Sequence, residues 1–339
     1  MTTRVRFITL ILAALCCLGV SHPAAAQRRR GVKIKLATVA PKNSVWHDVL
    51  LRMAQEWREI SGGAVDVVIY PGGVAGDEET MLRKMRAGQL QAALMSGAGM
   101  AYVDTGVSAL QVPMTFNSHE EFDHVREKMA PMIEVRIEAK GYKVLNWGEA
   151  GWAHFFSVRP FTTFDELRKM KLYTGKGDAE MLRLYDDFGF NAVPLDLTEL
   201  QTALETGLVE VFAVPPLIAA GYQWFGSAKY MHGQRFVPIV GATLIDKKVW
   251  DDIPAEQQQP MLESAQRAGA AIQVAVRAQG EQAIATMKEH GLIVTEADPA
   301  ETAAWTRHVE DAYPTMRDRY ASGELLDEVH RLRDEYRAR

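Results

Sequence analysis

Apolar and polar residues alternate with two distinct periods over the segment from residue 32 to 95. Val32 to Ala37 alternates apolar residues with lysine, and Ala64 to Tyr70 and Leu90 to Met95 are short apolar runs, so each is predicted to be a strand. Between these strands, apolar residues recur at helical spacing from Val45 to Ile60 and from Asp77 to Arg86. This order of strands and helices predicts a parallel sheet covered by helices.

The same order recurs after residue 150. Three pairs of a helix followed by a strand are predicted there: Phe164–Arg168 with Lys171–Tyr173, Ala179–Phe188 with Ala192–Pro194, and Glu199–Thr206 with Val209–Val214. The chain is therefore predicted to hold two α/β units in tandem.

The last third of the chain favours helices. Ala255 to Glu289 is rich in alanine, glutamine and glutamate, which predicts one long helix or a broken pair. A helix from Glu301 to Tyr320 is predicted to kink or split at Pro314, and the charged, amphipathic end from Glu324 to Arg339 is predicted to pack on the surface. Capping-box spacing, interpreted as structural, marks three helix starts: Ser118 with Glu121, Thr163 with Glu166, and Asp196 with Glu199.

The first 26 residues have the three parts of a secretory signal peptide. Arg4 and Arg6 precede an apolar stretch from Phe7 to Val20, and the run Ala24-Ala25-Ala26 offers a cleavage site. The apolar stretch is shorter than the roughly 20 residues that a membrane-spanning helix needs, which disfavours an uncleaved anchor. We therefore expect export to the periplasm and a mature chain that begins at Gln27.

Charge and cysteine content narrow the possible partners. Cys16 and Cys17 lie inside the signal segment, so the mature chain is expected to have no thiol chemistry and no disulfide. Loss of the segment removes two of the 38 basic residues and none of the 43 acidic ones, which leaves a formal charge of −7. This charge disfavours nucleic acid and anionic membrane surfaces as partners, and Arg28-Arg29-Arg30 is interpreted as a solvated leader. The length predicts two domains.

Common catalytic motifs are absent from the sequence. It has no G-x-S-x-G, no phosphate loop ending in G-K-[ST] and no H-E-x-x-H. His119 and His124 stand near acidic residues, but a spacing of five places them on different helix faces, and we interpret both as solvated rather than as metal ligands. Acid–base and nucleophilic catalysis need partners within hydrogen-bond reach, and no such set is evident. The sequence therefore predicts neither an enzyme, nor a metal site, nor a cofactor.

Several short motifs occur in one order along the chain. Y-P-G-G-V-A-G-D-E begins at Tyr70 and leads into R-K-M-R-A-G at Arg83, and E-L-Q-T-A-L-E-T-G-L-V-E begins at Glu199. Shorter motifs are F-D-E-L before Lys171, K-Y-M-H, and a tryptophan followed by Ile253-Pro254. Together they resemble the solute receptors of tripartite ATP-independent periplasmic (TRAP) transporters, the DctP-like family.

The resemblance implies an α/β fold of two lobes, each a mostly parallel sheet flanked by helices. It implies that lobe I comprises residues 32–150 with about 237–255, and lobe II residues 151–236 with about 290–339. A helix at about 255–289 would span both lobes. A small molecule would bind in the cleft and be enclosed by hinge closure. The partners would be a small and a large integral membrane subunit, with an ion gradient driving uptake.

The sequence departs from the family where the resemblance implies a carboxylate clamp. Typical members carry an arginine after K-[IL] in the second lobe, whereas this chain has Tyr173 after Lys171-Leu172. The asparagine expected before the next proline is also missing, since that segment ends Ala213-Val214-Pro215-Pro216. Enclosing a carboxylate without its charged partner costs on the order of 3–5 kcal/mol. The sequence therefore predicts a ligand less acidic and more apolar or aromatic than a simple dicarboxylate.

Aromatic residues flank the expected crossing into the second lobe and could form the walls of a cleft. Phe155 and Phe156 in this group are equally well explained as core. The candidate ligand-binding residues are Asn43, Glu78, Trp147, Trp152, Tyr173, Pro215, Tyr222 and Trp224.

Three alternatives stay open. Lys171, Lys176 or Arg159 could replace the missing arginine, so an organic-acid ligand is an alternative to an apolar one. The chain could instead be a receptor that feeds a sensor kinase. A third possibility is a periplasmic enzyme on the same two-lobed scaffold, which would need titratable groups that converge in the cleft.

Overall fold

A ten-stranded mixed sheet runs through the protein. The computed structural model describes residues 31–176 and 179–339, and within them Val32–Arg339 form one compact unit. The strands are β1 (Val32–Thr38), β2 (Val65–Tyr70), β3 (Ala92–Ser96), β4 (Tyr142–Ser157), β5 (Lys171–Gly175), β6 (Asn191–Leu195), β7 (Val211–Val214), β8 (Tyr230–His232), β9 (Val237–Asp246) and β10 (Ile293–Thr295).

Helices cover the sheet. The α-helices are α1 (Val45–Ile60), α2 (Glu78–Arg86), α3 (Gly97–Ala101), α4 (His119–Ala139), α5 (Phe164–Arg168), α6 (Ala179–Asp187), α7 (Leu200–Glu205), α8 (Pro216–Gly221), α9 (Lys247–Asp251), α10 (Ala255–Glu289), α11 (Pro299–Met316) and α12 (Gly323–Arg337). Short 3₁₀ helices lie at Thr105–Gln111, Leu197–Glu199 and Trp224–Gly226.

The strand order is β2-β1-β3-β9-β4-β7-β5-β6, with β8 beside β4 and β10 beside β8. β1 pairs parallel with β2 and β3 at one end, and β5 pairs parallel with β6 and β7 at the other. The middle strands are antiparallel, because β9 runs against both β3 and β4, and β4 runs against β7 and β8. Two mostly parallel groups of strands are thus joined through β4 and β9, as in a two-lobed α/β binding protein.

β4 changes direction between the two strand groups. Its pairing with β9 shifts register between Val144 and Asn146 and again between Glu149 and Gly151. Gly151 has φ of 97°, in the left-handed region that favours glycine. Such bulges bend a strand and re-aim the side chains beside them. Glu149 and Trp152 flank the second shift, and both side chains take part in the site described below.

The long helix α10 spans 35 residues, or roughly 50 Å at 1.5 Å per residue. It lies across β4 and also packs on α1 and α8. Its buried face carries small and branched residues at helical spacing, with Gly269 directly over β4 and Ile272 and Val276 in the same core as β1 and α1. The sequence predicted one helix or a broken pair here, and the structure has the unbroken helix, with Pro260 inside its second turn.

Local sequence signals locate most element boundaries. Ser118 and Thr163 accept hydrogen bonds from the N–H groups of Glu121 and Glu166, as their capping boxes predicted. Helices α1, α5 and α10 have the predicted bounds. Helix α11 ends at Met316, two residues after the proline at which a kink or split was predicted.

No helix within the described ranges has both the length and the apolar content needed to cross a bilayer. The predicted signal peptide at residues 1–26, its two cysteines and the Arg28-Arg29-Arg30 cluster lie outside the described residues.

Candidate ligand-binding site

Two adjoining cavities open where the loop after β1 faces helix α8. The outer cavity has a volume of about 790 Å³ and the inner one about 180 Å³. The outer cavity falls within the usual size range for small-molecule sites, which is roughly 300–1,000 Å³, and the inner cavity falls below it. They are two parts of one concave site, because they share the wall residues Val39, Pro41, Trp46, Ile218 and Tyr222.

The first wall is the turn between β1 and α1. Asn43 has φ of 62° and its backbone N–H donates to His47 Nδ1 at 3.2 Å, so the turn closes on the first turn of the helix. Ser44 caps that helix. The indole Nε1–H of Trp46 donates to the backbone carbonyl of Glu149 at 3.1 Å. This bond fixes the Trp46 ring between the turn and β4, where it lines both cavities.

The opposite wall is Tyr222, which follows α8. Its ring stacks on Trp224 with centroids 4.6 Å apart and planes 7° apart. Tyr222 is 46% exposed, whereas Trp224 is 2% exposed and also contacts Phe212 edge to face. Trp224 is therefore a buried support, and Tyr222 presents the aromatic surface to both cavities.

The inner cavity has a polar floor made by Glu78. This carboxylate accepts hydrogen bonds from the backbone N–H of Ser96 at 2.5 Å and from its hydroxyl at 2.6 Å. Gly99 allows the approach, since a Cβ there would lie 2.7 Å from the Glu78 carboxyl carbon. Burial raises the pKa of Glu78 despite these bonds. The inner lining has no Lys, Arg or His among the described residues, so it suits hydrogen-bond donors and apolar groups rather than an anion.

An ion-pair network borders the inner cavity. Arg277 of α10 makes a bidentate pair with Glu149, at 2.6 and 2.9 Å, and another with Asp123 of α4, at 2.8 and 2.7 Å. Burial by itself would lower the pKa of Arg277, but the bonds to Glu149 and Asp123 raise it. The Arg277 charge is thus neutralised by the protein, and the network ties β4, α4 and α10 together.

A third, smaller cavity of about 40 Å³ continues from the other two. It shares Ala150 with the inner cavity and Leu217 with the outer one. Its polar lining includes His119, His154, Arg235 and Arg277, beside the aromatic ring of Trp152.

The tautomer of His119 in this cavity follows from its hydrogen bond with Trp152. Trp152 Nε1–H donates to His119 Nδ1 at 3.1 Å, and an indole nitrogen is only a donor. Neutral His119 therefore carries its proton on Nε2. Burial, together with Arg277 and Arg235, lowers the pKa of His119 to about 4, so the ring is neutral at pH 7. The prediction that His119 is solvated is wrong, because β4 packs against the start of α4.

We expect His154 to make the protein less stable in acid. Desolvation lowers its pKa to about 4 in the folded protein, below the value of about 6.5 in an unfolded chain. The unfolded chain therefore takes up the proton first as the pH falls. The stabilisation is complete above about pH 6.5 and is lost toward pH 4, by about 3 kcal/mol of unfolding free energy. Urea unfolding at pH 7, 6, 5 and 4 measures it.

The control for this prediction is the variant His154→Gln under the same conditions. Carboxylates titrate in the same pH window in both proteins, so only the difference between the two curves reports His154. The curves should converge as the pH falls. Parallel curves of unfolding free energy against pH would show that His154 does not contribute to the loss of stability in acid.

The structure brings five of the eight candidate residues to the cavities. Asn43 lines the outer cavity, Glu78 the inner one, and Tyr222 both; Trp152 and Pro215 line the third.

The other three lie elsewhere. Trp147 is directed to α4, where its Nε1–H donates to Glu134 at 2.7 Å, and Trp224 is buried behind Tyr222. Tyr173 lies half-buried on β5 against the core of the second strand group.

The three cations considered as replacements for an arginine have other partners. Lys171 Nζ donates to the carbonyl of Gly207 at 2.8 Å. Lys176 lies 3.7 Å from Asp196, and Arg159 lies 3.5 Å from Glu210. None of the three lines the cavities described above.

Five important residues of the site were not among the candidates: Trp46, His119, Glu149, Arg235 and Arg277. Trp46 belongs to the helical apolar pattern of α1, which indicates a core residue. The others meet only through the tertiary structure, since β4, α4, α10 and the start of β9 are far apart in sequence. Residues 31–176 and 179–339 contain no group of three or more metal-ligating side chains arranged around a common point.

Comparison with known proteins decides the family. The family model described as bacterial extracellular solute-binding protein, family 7, matches residues 36–319. The chain belongs to this family. The resemblance drawn from the short motifs to the receptors of TRAP transporters is thereby confirmed, as is the α/β fold class.

Relatives of this family 7 protein cover most of its length. It is 25% identical to the 2,3-diketo-L-gulonate-binding periplasmic protein of Escherichia coli, over 85% of this chain and 87% of that protein. It is also 25% identical to the C4-dicarboxylate-binding periplasmic protein of Rhodobacter capsulatus, over 94% and 96%.

Solved structures agree with this family 7 fold. A TRAP periplasmic solute-binding protein from Ochrobactrum anthropi is 26% identical and superposes with a TM-score of 0.82, covering 91% of this chain and 97% of that one. Family 7 consists of periplasmic binding proteins that act in transport, and its members are not enzymes.

Proposed function

We propose that the protein is a periplasmic receptor that captures a small organic acid in the joined cavities and delivers it to a TRAP transporter. The observation that carries this proposal is the concave site between the β1–α1 turn and α8, walled by Trp46 and Tyr222 in a family 7 chain. The partners are the small and large integral membrane subunits. Export depends on the signal peptide at residues 1–26.

Ligand capture in this proposal requires closure of two lobes. Lobe I comprises residues 32–150 with about 237–255, lobe II residues 151–236 with about 290–339, and α10 spans both. β4 and β9 connect the two strand groups, and bulged strands are suitable hinges because they have fewer ladder hydrogen bonds to break. Closure would bring the β1–α1 turn and Tyr222 together over the ligand.

The composition of the inner cavity defines the body of the ligand. Leu94, Ile218 and Ile239 are among its apolar wall residues, beside the Trp46 and Tyr222 rings. Its two carboxylates, Glu78 and Glu149, are acceptors and would repel a second acidic group. The ligand therefore has an apolar or aromatic body with a hydroxyl, and is less acidic than a dicarboxylate. The named ligands of the two relatives are acids, which supports an acidic group elsewhere on the molecule.

Calorimetry with a defined panel of compounds tests the ligand class. The panel contains succinate, galactonate, orotate and 4-hydroxyphenylacetate, each with a neutral amide or alcohol of the same size. We expect the aromatic monocarboxylates to bind more tightly than succinate. Tightest binding of succinate would refute the apolar body.

We expect Tyr222→Ala to weaken binding of the tightest panel compound by about 10- to 30-fold, because removal of a central aromatic wall costs about 1.5–2 kcal/mol of binding free energy. Tyr222→Phe keeps the ring and should stay within about threefold. Calorimetry measures both.

Tyr336→Ala is the matched control, because it removes a ring that contacts His124, with centroids 5.2 Å apart, outside the cavities. Equal losses in the two alanine variants would exclude a specific role of Tyr222. The Tm of each variant shows whether the protein is still folded.

A further inference from the structure

Arg235 is a half-buried cation without an acidic partner. It lies just before β9 and lines the third cavity. Its guanidinium carbon is 5.9 Å from the centroid of the Trp152 ring, a cation–π contact. No carboxylate of residues 31–176 or 179–339 forms an ion pair with it within 4.0 Å. Arg277, in the same cavity, has two bidentate carboxylate partners instead.

The groups around Arg235 leave its charge uncompensated. His119 and His154 are neutral at pH 7, because burial lowers the pKa of each to about 4. Arg277 is neutralised by Asp123 and Glu149. Glu281 is the one carboxylate on the described lining of this cavity, and its residue is exposed to solvent at the rim.

This arrangement suits an anion from outside the protein. A partly desolvated guanidinium without a carboxylate partner has lost part of its solvation, and an anion that enters the cavity would compensate for this loss. His119 provides a second donor in the same cavity, since its proton lies on Nε2. Trp152 holds both groups in place, with its face toward Arg235 and its N–H bonded to His119. The guanidinium and a neutral N–H donor in one cavity together suit a carboxylate, which accepts hydrogen bonds at two oxygens.

We propose that Arg235, assisted by His119, binds the carboxylate of the ligand in the third cavity. The body of the ligand extends past Ala150 into the inner cavity, which has no cation of its own. Arg235 thus supplies the acid-binding charge that position 173 lacks. This assignment rests on the proposed receptor function and names the ligand class as monocarboxylic acids with an apolar body.

Formate is a suitable probe of the site, because it is the smallest carboxylate and needs no contact with the rest of the cavities. The Trp152 indole N–H signal is followed by NMR at pH 7 during titration with sodium formate, and separately with sodium chloride at equal ionic strength. Trp152→Phe assigns the signal. We expect a saturable shift with formate only, and an apparent Kd about 10-fold weaker or more in Arg235→Gln.

Arg159→Gln is the control, because it removes a surface arginine outside the cavities, paired with Glu210. Its formate response should equal that of the unmodified protein. A formate shift that does not saturate, that chloride reproduces, or that persists unchanged in Arg235→Gln overturns the proposal.

Calorimetry on the panel separates this proposal from the receptor function. Arg235→Gln should weaken binding of the tightest acid by about 100-fold and change binding of its neutral analogue by less than about threefold. Equal affinity for the acid in both proteins refutes the role of Arg235 and leaves the receptor function standing. Absence of any tight panel ligand, with a normal formate response, counts against the receptor function and not against the anion site.

Discussion

Arg277→Met is expected to lower the free energy of unfolding by about 3 kcal/mol. The substitution leaves Asp123 and Glu149 without their shared cation, and the Glu149 side chain is only 6% exposed. Removing one partner of a buried pair is strongly destabilising, because the remaining charge stays desolvated. The network also links α4, β4 and α10, so its loss should lower the free energy of cooperative unfolding of the whole unit. Urea unfolding followed by circular dichroism measures the change.

Arg267→Met is the matched control for Arg277→Met. Arg267 lies on the same helix and pairs with Glu56 at 2.9 Å, but both side chains are exposed. Exposed pairs contribute between about 0 and 1 kcal/mol, so this variant should unfold close to the unmodified protein. Equal losses of unfolding free energy in the two variants would show that the Arg277 network stabilises the protein no more than an exposed ion pair does.

Gly269→Ala is expected to destabilise the protein by about 3 kcal/mol or more. A Cβ at this position would overlap the backbone carbonyl oxygen of Trp147 and would lie 2.9 Å from the Cβ of Asn146. The obstacle is the backbone of a central strand, which cannot rotate away as a flexible side chain can. Helix α10 would therefore have to move off β4, with loss of packing along its buried face. Thermal and urea unfolding measure this effect.

Gly280→Ala provides an internal comparison on the same helix. A Cβ at Gly280 would meet no atom within 4 Å. Alanine favours a helix over glycine by roughly 0.5–1 kcal/mol, so this variant should be slightly more stable than the unmodified protein. Destabilisation by both substitutions would argue against a close approach of α10 and β4 at Gly269.

Local patterns predicted the helices well, because each pattern reflects physics that acts within one element. The apolar spacing of α1, the composition of α10 and the capping boxes at Ser118 and Thr163 all describe elements whose ends are set by neighbours in sequence. β4 was different. It contains Gly148 and Gly151 and two register shifts, so apolar and polar residues do not alternate cleanly along it. Its path was expected only from the family resemblance.

The site was only partly predictable for a related reason. Asn43, Glu78 and Tyr222 were predicted from the sequence as ligand-binding residues, and all three line the cavities. The acid-binding group was sought near Tyr173, among Lys171, Lys176 and Arg159, because that is where the family pattern departs. Arg235 carries no motif. Its proposed role depends on Trp152 and His119, which approach Arg235 only after β9 pairs with β4 and α4 packs beside them.

Native mass spectrometry of the protein isolated from the periplasm tests the central claim most directly. The protein is sprayed intact, the bound molecule is released by collisional activation, and its mass and charge are determined. The proposed function predicts one small organic acid per chain, with a single carboxylate and an apolar body. A chain that stays unliganded after incubation with the small-molecule fraction of its growth medium, or that releases a neutral sugar or a simple dicarboxylate, would contradict it.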